Sequence, residues 1–109
     1  MHTPRELDRK SLELHRLAVQ KIEADPALFC RVQETLTRFM AKADAMPSLY
    51  LMEWQAILDW GMDAALSVAI EDSERAQVLR SSSPFAGVLD EEERIAFLVA
   101  WASAMRTDI

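Results

Sequence analysis

The sequence predicts an all-α fold: one domain, residues 1–109, built as a helical bundle of four to six helices and starting with an antiparallel helical hairpin. Three observations carry that expectation. Apolar residues recur at spacings of three and four through most of the chain. Only two glycines and four prolines punctuate 109 residues, so few connections are available. Helix-start signals, Ser, Thr or Asp beside Pro or ahead of Glu, stand before nearly every apolar run.

The first helix is expected from about Pro4 to Glu23. Thr3, Pro4 and Glu6 form a cap, first-position and capping-box pattern. Residues 1–3 ahead of it are expected to be disordered. Leu7, Leu12, Leu14, Ala18, Val19 and Ile22 cover nearly half of its wheel, enough to touch two neighbours. Asp25 and Pro26 restart the chain as cap and first position of helix two. There Leu28, Phe29, Val32, Leu36, Phe39, Met40 and Ala43 form the clearest amphipathic stripe. A joint this short makes the first two helices an antiparallel hairpin.

Pro47 and Ser48 open a third helix with Tyr50, Leu51, Trp54, Ile57 and Leu58 on its inner side. Its other side is apolar too, with Leu49, Met52, Ala56 and Trp60. A helix apolar nearly all round is central in its fold or covered by a partner. At Gly61 either one helix bends or two helices meet. Asp72 or Ser73 caps a short helix holding Ala76, Val78 and Leu79. Asp90 and Glu93 form a capping box for the last helix, whose expected inner stripe is Ile95, Leu98, Val99, Ala102 and Met105.

Between those last two helices lies the stretch RSSSPFAGVLDEEER, residues 80–94. Pro84 ends any helix by Ser83. Phe85, Val88 and Leu89 are apolar, and Gly87 permits a sharp or left-handed turn. Residues 81–89 are therefore expected to form an ordered corner that tucks Phe85 and Leu89 inward. With one glycine and no Gly-Lys-Ser/Thr, it is not a phosphate loop.

Composition narrows the function. The chain carries a net charge of −6, distributed unevenly. Residues 1–43 hold eight Lys/Arg against six Asp/Glu, and residues 44–109 hold four against twelve. Most of such a surface repels nucleic acid, and its C-terminal half attracts a basic partner. Apolar runs are too short for a membrane span, no signal-peptide pattern is present, and the single Cys30 fits a reducing compartment. A cytoplasmic protein is expected, with neither membrane nor nucleic acid as partner.

Catalytic chemistry has little to stand on. His15 has no metal-ligating residue one turn away, and His2 is terminal. Cys30 beside Arg31 has no histidine near it in sequence. Glu71, Asp72 and Glu74, and Asp90 to Glu93, stand at helix starts, where acidic residues are favoured in any case. Asp59 and Asp63 form a weaker pair. No catalytic, cofactor-binding or metal residue is assigned. A small carboxylate–metal enzyme built on Asp59, Asp63 or the 71–74 cluster stands as the third reading.

Two segments, SLELHRLAVQKIEADPAL (11–28) and EDSERAQVLRSSSPFAGVLDEEER (71–94), with EWQAILDW (53–60) between them, resemble a helical domain of bacterial antitoxin-like proteins from toxin–antitoxin operons. In that group the domain often follows a repressor-type helix-turn-helix. This sequence begins almost at the domain, so operator binding is not expected. The resemblance implies a non-catalytic module that binds and neutralises a partner protein, a cognate toxin. The candidate contact residues are Leu49, Met52 and Trp60 on the third helix, with Phe85, Asp90, Glu91 and Glu92 at the acidic corner. The alternative is a homodimer with no foreign partner, its seam on the second apolar face of residues 49–70.

Overall fold

The computed structural model describes residues 4–42 and 48–107. The expected disorder of residues 1–3, the cap at Thr3, and Ala43 and Pro47 lie outside the described residues. Within them the chain is all-helical, with no strand. Six α-helices, α1 (Pro4–Ala24), α2 (Phe29–Ala41), α3 (Leu49–Trp60), α4 (Met62–Ala69), α5 (Glu74–Arg80) and α6 (Glu91–Thr107), are joined by two 3-10 turns, η1 (Pro26–Leu28) and η2 (Pro84–Val88).

The burial patterns follow the expected periodicities. On α1, Leu12, His15, Ala18, Val19 and Ile22 are buried, while Leu7 stays half exposed at the N-terminal end of the face. On α2 the buried set is Phe29, Val32, Thr35 and Leu36. Asp25 adopts a non-helical conformation before Pro26, but its carboxylate makes no cap bond. Its backbone carbonyl instead closes the three-residue turn, accepting from Leu28 N–H at 3.0 Å.

Side-chain caps at three helix starts behave as the sequence foretells. Ser48 Oγ accepts from Leu51 N–H at 3.2 Å, and Ser73 Oγ from Ala76 N–H at 3.1 Å. At α6 the capping box is complete: Glu93 N–H donates to Asp90 Oδ1 at 2.8 Å, and Asp90 N–H to Glu93 Oε1 at 3.0 Å. Each satisfies backbone donors that a helix start leaves without partners.

Gly61 separates two helices rather than bending one. Its φ of 129° and ψ of 171° lie in a region almost reserved for glycine. Its N–H closes α3 on Leu58 O, and its carbonyl opens α4 by accepting from Ala65 N–H. Buried Arg80 on α5 then caps the far end of α4. Its guanidinium Nη1 donates to Glu71 O at 2.8 Å and Ala69 O at 3.3 Å, a cation placed against a helix C-terminus.

The connector η2 is the centre of the fold. Both α1 and α2 pack more extensively against η2 than against each other. Pro84, Phe85 and Val88 are fully buried. Phe85 sits between the rings of Trp54, at 5.6 Å, and His15, at 6.1 Å. Trp54 in turn donates from Nε1 to Leu79 O at 2.7 Å, tying α3 to the end of α5. Lys21 holds the exit, donating to Val88 O at 3.0 Å and pairing with Glu93.

Gly87 has a role other than the left-handed turn its sequence permits, since Gly61 is the only described residue with positive φ. A Cβ at Gly87 would lie 2.7 Å from Thr35 Oγ1. That oxygen is held in place, donating to Arg31 O at 2.7 Å and accepting from Arg38. The glycine therefore lets η2 seat directly on α2. Gly87→Ala is expected to cost about 1–3 kcal/mol through overpacking. In Thr35→Ala the added cost of Gly87→Ala should shrink by about 1 kcal/mol, a coupling readable from urea midpoints. Strict additivity would reject the contact.

The last helix departs from its expected packing. Ile95, Leu98, Val99 and Ala102 face solvent. Phe97, Ala100, Trp101 and Ala104 instead line a groove against α1, together with Met105. The apolar residues of α6 surround the whole helix, so periodicity alone cannot select the inner face.

Candidate functional site

The outer stripe of α3 is where the sequence placed it. Leu49 is 80% exposed, Trp60 is 87% exposed, and Met52 lies half exposed between them. Ala56 continues the stripe toward a shallow cavity of about 340 Å³ between α3, α4 and α5. Trp60, Ile57, Ala64 and Val68 supply its apolar lining. Glu53 and Arg75 close one side through an ion pair at 2.6 Å. Large side chains held in water on one helix face mark a surface suited to burial by a partner.

Asp90, Glu91 and Glu92 are all exposed, but they differ in availability. The Asp90 carboxylate is occupied by the capping box. Glu93, beside it, is held below the usual carboxylate range by its hydrogen bond from Lys21 and by the Asp90 N–H. Among the described residues no ion pair engages Glu91 or Glu92. The acidic character of this turn open to a partner therefore rests on those two.

Phe85 does not belong to this surface. It is 1% exposed, enclosed by Trp54 and His15, and cannot meet a partner in the folded chain. The inward reading of residues 81–89 holds, and the contact reading of Phe85 is corrected by its burial. Asp90 to Glu92, only a few residues on, are exposed because the chain leaves the core at Leu89 and turns into α6.

The aromatic pair Phe97 and Trp101 was not singled out from the sequence. Their rings stack with centroids 6.2 Å apart and planes at 23°. With Glu6, Arg9 and Glu13 of α1 they line a groove of about 520 Å³. The i, i+4 spacing of two aromatic residues was the available signal.

His15 is a second buried titratable group, beside Arg80, with a defined hydrogen-bond network. Ser11 O only accepts, so Nδ1 carries the proton and donates to it at 2.7 Å. Nε2 is then an acceptor for the Ser83 hydroxyl at 2.7 Å. Ser83 Oγ accepts in turn from Phe85 N–H at 3.1 Å, capping η2. Burial pushes the His15 pKa down, the Ser11 bond opposes this in part, and the Arg80 charge adds to the lowering. Above about pH 6.5 both folded and unfolded chains hold this imidazole neutral. As pH falls below that, the unfolded chain takes up a proton that the folded chain resists. Stability should therefore decline from about pH 6.5 down to the lowered folded value and level off beneath it. Urea midpoints across this window test the effect, and His15→Gln should flatten the slope. An unchanged slope in the variant would remove His15 as its source.

Among the described residues no group of three or more His, Cys, Asp or Glu side chains is placed to hold a metal ion. Cys30 is exposed on α2. No helix of the described residues is long and apolar enough to cross a membrane. The fold and surface together define an all-α domain with an aromatic-centred core and exposed apolar stripes on two helices. Comparison with protein-family models, curated proteins and solved structures finds no match for this chain.

Proposed function

We infer that this chain is a non-catalytic protein-binding module, an antitoxin-like factor of the bacterial cytoplasm that covers and neutralises a partner protein. The observation that carries the reading is the α3 stripe, where Leu49 and Trp60 project into water and Trp60 borders an apolar cavity. Glu53 and Asp59 are the charged residues of α3, both acidic. A second α3 laid on this stripe would bring acid toward acid, whereas a basic protein finds opposite charge. Glu91 and Glu92 extend the acidic surface, and the proposed mechanism is obstruction of a basic substrate-binding cleft on the partner.

The test begins with tagged full-length chain expressed in its native host and identification of what co-purifies. A stoichiometric basic partner, toxic alone and harmless when co-expressed, is the expected result. Trp60→Ala should weaken that complex by about 30-fold, as truncating a central aromatic anchor does. Added salt, and Glu91→Lys with Glu92→Lys, should weaken it further. A complex indifferent to Trp60, Glu91 and Glu92 alike would overturn the reading. Recovery of only the bait at twice its mass, in a dimer that Trp60→Ala dissociates, would turn the same stripe into a seam between copies.

A further inference from the structure

We propose that the outer face of α6 is a self-complementary docking surface whose occupant is α6 of a second copy of this chain, packed antiparallel about a two-fold axis. This rests on a different face from the α3 stripe but shares Glu91 with the proposed function, and Leu98→Glu against Trp60→Ala separates the two. Ile95, Leu98 and Val99 are 52%, 40% and 61% exposed. With Ala102 they form one stripe on the side of α6 away from the α1 groove. Glu91, Ile95, Leu98 and Ala102 follow spacings of four and three, the seam pattern of paired helices.

Charge selects both the occupant and its direction. Glu91 stands on this stripe in the first turn and Arg106 on it in the last. Among the described residues neither is engaged in an ion pair. A dyad between Leu98 and Val99 sets Leu98 against the partner's Val99 and Ile95 against the partner's Ala102. The same dyad sets Glu91 against the partner's Arg106, twice by symmetry. A parallel arrangement would place the acidic turns side by side. The antiparallel one also lays each helix N-terminus beside a C-terminus, which the helix dipoles favour.

The total area agrees. The chain exposes 7384 Å², against roughly 6,100 Å² for a folded monomer of 12.4 kDa. The excess, roughly 1,200 Å², is spread over the whole chain, the α3 stripe included, and leaves room for an interface of about 800 Å² per partner. The Cα radius of gyration, 14.4 Å, likewise exceeds the roughly 13 Å expected of a compact chain of this length.

Sedimentation equilibrium of the full chain, from micromolar to submillimolar concentration, tests the proposal. The expected species at the upper end has twice the monomer mass of 12.4 kDa. Leu98→Glu should raise the dimer dissociation constant by at least about a hundredfold, with helix content by circular dichroism unchanged because Leu98 is outside the core. Glu91→Arg and Arg106→Glu should each weaken the dimer by about tenfold. The two combined should bring it back to near the wild-type value, since the swapped charges meet again across the dyad. Three outcomes would overturn the proposal: a monomer throughout, a dimer insensitive to Leu98→Glu, or a double swap no tighter than the single ones.

Discussion

Phe85→Ala is expected to remove about 3–5 kcal/mol of stability, although the residue lies in a short connector between two helices. Phe85 is enclosed by Trp54, His15 and the α1 and α2 faces on which η2 sits. Truncation leaves a cavity at the junction of four elements, where collapse of one neighbour pulls on the others. For a domain with a total stability of about 5–15 kcal/mol this is a large fraction. The melting temperature should drop by about 15 °C. A loss under about 1 kcal/mol would mean that η2 is a cover over the core and no part of it.

Trp54→Ala should match or exceed that effect, while Trp60→Ala should shift stability by no more than about 0.5 kcal/mol. The two residues have the same side chain and lie on the same helix. Trp54 is fully buried and Trp60 almost fully exposed. Removing Trp54 also strips Leu79 O of its buried indole donor, which adds about 1–3 kcal/mol to the lost packing. Because Trp54 and Phe85 touch, their effects should fall short of additive. Trp54→Phe and Phe85→Leu, milder changes that keep the chain folded, allow the cycle to be measured by urea unfolding. Equal losses at Trp54 and Trp60 would contradict the packing described above.

The contrast between these tryptophans shows which information was local. The buried position of Trp54 follows from its spacing to Leu51, Ile57 and Leu58, and the outward position of Trp60 from its spacing to Leu49, Met52 and Ala56. On α6 the same reasoning chose the wrong face. Ile95, Leu98 and Val99 satisfy a helical stripe as well as Phe97, Ala100 and Trp101 do, and only the position of α1 decides between them. A wheel with apolar residues all round holds no preference for a burial face. The error bears on function, because the stripe assigned to the core is the one now available to a second copy.

Of the candidate contacts, Leu49, Met52 and Trp60 were legible because exposure there follows helical periodicity. Asp90, Glu91 and Glu92 were legible as an acidic helix start, but the division between a capping carboxylate and two available ones required the hydrogen bonds. Phe85 was misassigned as a contact because the exposed acidic turn, Asp90 to Glu92, follows it closely in sequence, while its neighbours in space come from α1, α2 and α3.

By itself the sequence determined the helical class, the caps at Ser48 and Asp90, a cap at Asp72 or Ser73, and the inward faces of α1 and α2. Those features depend on interactions within one helical turn, or on a periodicity repeated over several turns. Tertiary structure alone decided that η2 seats between α1 and α2, that Gly87 serves close approach to Thr35 while Gly61 takes the positive φ, and that α6 turns its aromatic pair to α1. Each of these depends on contacts between residues distant in the chain, and the energy of such contacts is set by the shape of the space that the other helices leave open.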